Sequence, residues 1–102
     1  MVDPTAYRNA LACFASGVTI VTAAGDGRGP VGVTVSAFCS LSLDPPLILV
    51  CLDNRTGCLA QFQETGAGFA VNVLAADQWA LSDAFAGPQT FDMHGCAYVA
   101  GA

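Results

Sequence analysis

The stretch at residues 31–54, VGVTVSAFCSLSLDPPLILVCLDN, decides how this chain folds. It reads as a strand with one face of small and hydroxyl residues, then a stiff Asp44-Pro45-Pro46 corner, then a strand that is apolar on both sides. Strand side chains alternate between faces, so Val31, Val33 and Val35 point one way and Gly32, Thr34 and Ser36 the other. If extension continues, Ser40 and Ser42 fall on the side of Thr34 and Ser36, with Phe38 between them. Such a face offers hydroxyls and backbone amides as a ledge for something flat and polar. The run at 47–52, apolar throughout, is the mark of a strand covered on both faces.

Upstream, Asp3 and Pro4 form a helix start, Asp at the N-cap and Pro at the first helical position. Tyr7, Leu11 and Phe14 follow at helical spacing, and Gly17 ends the helix. Residues 18–23 read as a strand, and the Gly, Asp and Pro of residues 24–30 as a turn that makes a hairpin with the strand beginning at Val31. Downstream, Thr56 caps a short helix through Leu59 and Phe62 that Gly66 stops. Residues 69–74 form a further strand and 77–85 a further helix, with Trp79 in a packing role. Strands joined by hairpins and short helices point to an antiparallel barrel or sandwich rather than a parallel sheet.

Composition sets outer bounds. A chain of 102 residues forms at most one domain, with room for one core. It is 54% hydrophobic and 11% charged, against about 25% charged in an ordinary domain. That balance implies apolar surface buried against a partner chain. A formal charge of -5, with Arg8, Arg28 and Arg55 as the only cations, argues against nucleic acid and against an anionic membrane surface. No apolar run approaches the roughly 20 residues that span a bilayer, and no leader pattern opens the chain. The cysteines (Cys13, Cys39, Cys51, Cys58 and Cys96) are odd in number and lack a CxxC pair, so free thiols in the cytoplasm are expected rather than disulfides or zinc.

Three blocks carry a resemblance: Phe14-Ala15-Ser16-Gly17-Val18-Thr19-Ile20-Val21-Thr22, the 31–54 stretch, and Gly68-Phe69-Ala70-Val71-Asn72-Val73-Leu74-Ala75-Ala76-Asp77-Gln78. Their order and spacing resemble the flavin reductase-like domain family, the FMN-binding split barrel of reductase components of two-component flavin monooxygenases. The resemblance implies a mainly β, antiparallel, Greek-key-like split barrel with short peripheral helices, occupying residues 1–102 as the N-terminal part of the usual domain and truncated at its C-terminus. A Gly-Asp-His-like segment on the family's nicotinamide side would lie beyond Ala102, so His94 is expected to be a surface histidine.

The activity implied is NAD(P)H-dependent flavin reduction with FMN, or else FAD, as the flavin. Thr34, Ser36, Ala37 and Phe38 would line the isoalloxazine and ribityl chain, with Ser40 nearby. Asn54, Arg55 and Thr56 would meet the phosphate, helped by a helix N-terminus; Cys58 stands where the family usually has a threonine, and a thiol is a poorer hydrogen-bond partner. No catalytic side chain and no metal ligand is assigned, because the cofactor carries the redox chemistry. A homodimer and a monooxygenase partner are implied. One alternative is a non-catalytic flavin-binding or assembly remnant. Another is a pyridoxamine-phosphate oxidase-like flavoenzyme, which would want a more basic phosphate pocket.

Overall fold

The computed structural model describes residues 1–26, 29–63 and 68–87. The element order is α1 (Pro4–Leu11), β1 (Thr19–Asp26), β2 (Gly29–Val35), β3 (Phe38–Ser42), β4 (Leu47–Val50), α2 (Leu59–Gln63), β5 (Phe69–Val73) and α3 (Trp79–Ala86). The architecture is mainly β and antiparallel with short helices, as the sequence leads one to expect. His94 and Cys96 lie outside the described residues, as do Arg28 and Gly66.

Strand β1 is the spine. It pairs antiparallel with β2 on one side (Thr19 opposite Val35, Val21 opposite Val33) and with β5 on the other (Thr19 opposite Val73, Val21 opposite Val71). This register puts Val31, Val33 and Val35 on the same face as Thr19, Val21 and Ala23. That face holds the core, in which Ala23, Val31 and Cys58 pack with Val33 and Phe62. Burial pushes the Cys58 thiol pKa up, as expected when the charged form loses water. Two side-chain bonds lock the spine. The Thr19 hydroxyl donates to the Val35 carbonyl at 2.8 Å, and the Asn72 amide donates to the Ile20 carbonyl at 2.9 Å.

The opposite face of the sheet is not the open ledge its composition suggests. Helix α3 lies on it, against β2 and β1. A Cβ at Gly32 would stand 2.8 Å from Cε1 of Phe85, and Phe85 is only 7% exposed. Glycine at 32 is therefore the seat of a ring. The extension from Thr34 through Ser42 also breaks: β2 ends at Val35, and β3 restarts at Phe38 in a second sheet with β4. The Phe38 amide closes the corner by donating to the Ser36 carbonyl at 3.0 Å.

Several elements differ from the sequence reading. Helix α1 starts as expected, the Asp3 carboxylate accepting from the Ala6 amide at 3.1 Å, but it ends at Leu11 rather than at Gly17. Tight turns finish it, with the Cys13 amide donating to Ala10 and the Phe14 amide to Leu11. Strand β4 is not covered on both faces. Leu47 and Leu49 are 47% and 45% exposed, because among the described residues the β3–β4 ribbon has only two strands. Trp79 is 71% exposed and does not pack.

Candidate functional site

The break between the sheets creates a cleft. It has a volume of roughly 570 Å³, within the usual range for small-molecule sites. It is lined by Ser36, Ala37, Phe38 and Cys39 of the corner, by Leu49 and Cys51 of the adjoining chain, and by Tyr7, Leu11, Phe14 and Ser16. The Cys51 amide donates to the Ala37 carbonyl at 3.0 Å, so the corner is tied to the end of β4. A lining that combines small residues (Ser36, Ala37) with aromatic ones (Tyr7, Phe14, Phe38) suits a planar ring system.

Of the residues proposed from sequence, Ser36, Ala37 and Phe38 are brought together here. Thr34 is not. Its hydroxyl donates to the Ser82 carbonyl at 2.7 Å, tying β2 to α3. Thr34→Val keeps the shape and removes this bond, and is expected to lower unfolding stability by about 1 kcal/mol; urea denaturation checks it. Ser40 stands opposite Ile48, two positions on from Phe38 and on the other side of the ribbon from Cys39. Ile48 and Val50 face a second hollow of about 410 Å³, which Val21, Leu52, Phe62 and Phe69 also line.

Asn54 lies at the rim of that second hollow. Arg55 follows in a tight turn after β4, where Asp53 grips it: its Nη2 donates to Oδ2 at 3.0 Å, its Nε to Oδ1 at 3.2 Å, and its own amide to Oδ1 at 2.8 Å. Hydrogen bonds from the Arg55 side chain and amide hold the Asp53 carboxyl down at about 2. The folded pKa being depressed, the small stabilisation from this pair is fully present above the ordinary value of 3.8 and is lost as pH falls through about 2. Thr56 is half-buried, its amide donating to the Asp53 carbonyl and its carbonyl accepting from Leu59. The expected help from a helix N-terminus is absent: α2 begins at Leu59 and runs for five residues, too short to carry an appreciable dipole.

The cleft walls from α1 and β4 were not singled out from sequence. Tyr7, Leu11 and Phe14 stand at helical spacing, which marks a helix but not a cleft, and α1 has no buried residue. Among the described residues, no group of three His, Cys, Asp or Glu is placed to hold a metal ion, and no helix is long and apolar enough to cross a membrane.

Two antiparallel sheets with an open cleft beside the corner that joins them define the general class as an antiparallel β domain with short helices. The chain belongs to the family described as flavin reductase like domain, whose profile matches residues 11–101. It is 46% identical over 87 residues to the reductase component of 4-nitrophenol 4-monooxygenase/4-nitrocatechol 2-monooxygenase of Rhodococcus opacus, covering 85% of this chain and 46% of that protein. It is 47% identical over 88 residues to an NADH-dependent flavin reductase of a Rhodococcus species, covering 84% of this chain and 49% of that protein. Among solved structures, flavin reductase PheA2 matches with a TM-score of 0.74 at 40% identity, over 83% of this chain and 54% of that one. BorF, the flavin reductase component of a bacterial two-component tryptophan halogenase, matches at 0.73 and 42%, over 83% and 51%. The chain thus spans about half the length of these relatives.

Proposed function

We propose that this chain provides the flavin-holding part of an NAD(P)H-dependent flavin reductase, with FMN as the flavin and a monooxygenase as recipient of the reduced product. The carrying observation is the cleft at residues 36–38, of the right size for a tricyclic ring, in a member of a family whose similar relatives are named flavin reductases. The residues present fit the cofactor: Ser36 and Ala37 leave room for a flat ring, and Tyr7, Phe14 and Phe38 give it aromatic neighbours. When bound, the flavin supplies the redox chemistry, accepting a hydride from reduced nicotinamide. The chain's own task is to bind and orient the ring and shield it from water on one side. Thr34 then serves the site indirectly, by holding α3, and Ser40 lies off the ring's path.

Asn54, Arg55 and Thr56 are the proposed phosphate contacts. Arg55 lies four residues past Cys51 in the chain, a span of at most roughly 14 Å, which a ribityl phosphate leaving the cleft and the reach of the long Arg55 side chain together can bridge. FMN is therefore expected to bind more tightly than riboflavin by about 1.5 kcal/mol, the low end for a charge-assisted hydrogen bond, since Asp53 already engages one edge of the guanidinium. Arg55→Ala should remove most of that preference, as read by fluorescence titration of both flavins. The single cation in this region, already paired, weighs against a pyridoxamine-phosphate oxidase-like reading.

We further propose that residues 1–102 act as one flavin reductase-like unit, that it works as a homodimer, and that it works in the cytoplasm. The dimer is supported by apolar residues left about half exposed on α1 and β4, Tyr7, Leu11 and Leu49, which also line the cleft, so that a second copy covering them would lie beside the flavin. Sedimentation at micromolar concentration should find a dimer; a sharply melting monomer that binds FMN would remove this part of the reading. Titration of FMN followed by NADH or NADPH oxidation tests the activity itself, and absence of flavin binding would overturn it.

A further inference from the structure

Arg55 is the only cation within the turn at residues 53–56, and the structure shows where its charge goes. Two of its side-chain nitrogens and its backbone amide all donate to the Asp53 carboxylate. Both side chains are exposed, Arg55 at 90% and Asp53 at 56%, so the pair contributes little to stability. The guanidinium has five donors in a planar fork. Asp53 engages the edge formed by Nε and Nη2, which leaves the edge toward Nη1 facing outward. An arriving phosphate therefore meets a near-neutral ion pair rather than a full positive charge.

We propose that Asp53 is an affinity-setting residue for the flavin phosphate: by pairing with Arg55 it weakens the hold on FMN and keeps the flavin exchangeable. This rests on the assignment of Arg55 to the phosphate made above. The reasoning is electrostatic. A phosphate monoester carries a charge of about -1.5 to -2 near neutral pH, and a fixed carboxylate on the far side of the guanidinium repels it while Arg55 attracts it. The uncharged isoalloxazine and ribityl parts do not feel this, so Asp53 narrows the gap between FMN and riboflavin without altering ring binding. A reductase that must release its reduced flavin to another protein gains from such a loose phosphate grip.

Asp53→Asn is the test, because the amide oxygen still accepts from the Arg55 amide and preserves the turn while the charge is removed. FMN and riboflavin affinities are measured by fluorescence titration at low and at physiological salt, with Arg55→Ala in parallel. At low salt, FMN is expected to bind about three- to tenfold more tightly to Asp53→Asn than to the parent, with riboflavin unchanged and the gain shrinking as salt is added. A merely structural role for Asp53 would move both flavins together, and that result overturns the proposal. Unchanged or weaker FMN binding in Asp53→Asn, with the preference for FMN still lost in Arg55→Ala, overturns it and leaves the phosphate assignment standing. A preference for FMN that survives in Arg55→Ala removes the phosphate assignment and the proposal together.

Discussion

Ser36→Phe is expected to abolish flavin binding, with FMN affinity falling at least about a hundredfold, or roughly 2.7 kcal/mol. Ser36 and Ala37 are small residues that line the cleft, so an aromatic ring at 36 occupies volume a flavin needs. Ser36 is exposed and belongs to no core cluster, so the fold should survive the change. Fluorescence quenching of FMN reads the affinity, and a thermal melt confirms that the domain is intact. Undiminished affinity in a folded variant would place the ring elsewhere, the second hollow beside Ile48 and Phe69 being the next site to test.

Phe85→Ala is expected to cost about 3–5 kcal/mol, a large share of the 5–15 kcal/mol that holds a typical domain together. Phe85 is the one buried side chain of α3, and its ring fills the place a side chain at residue 32 would take. Removing it leaves a void over Gly32 and loosens the helix from the sheet, to which the bond from Thr34 to Ser82 also ties it. Gly32→Ala probes the same contact from the other side. Its Cβ would meet the ring at 2.8 Å, and overpacking of this kind costs about 1–3 kcal/mol. Urea denaturation of both variants measures the effect. Wild-type stability in Phe85→Ala would mean that the packing of its ring over Gly32 contributes nothing to the fold.

Local signals in the chain were legible where one segment settles its own structure. Asp3 and Pro4 start a helix because the carboxylate satisfies the Ala6 amide within the same turn. The valines at 31, 33 and 35 face one way because a strand alternates, and β1 pairs with β2 as the intervening turn residues require. The corner at residues 36–38 was also visible as a candidate site, since its small residues stand out between apolar strands.

What the sequence by itself determined is therefore the class of fold, the antiparallel hairpin of β1 and β2, and the family. Tertiary structure decided the rest, because each remaining question concerns what lies opposite a given face. The polar side of β2 reads as an open ledge, yet the ring of Phe85, 53 positions further along the chain than Gly32, covers it and turns Thr34 into an anchor for α3. The spacing of Tyr7, Leu11 and Phe14 reads as a helix and no more, yet these residues line a cleft, because hydrophobic burial is non-directional and periodicity does not say against what a stripe packs. The charge of Arg55 reads as available, yet it is engaged by a carboxylate two residues away, a pairing that depends on the turn the backbone makes and not on the residue types alone.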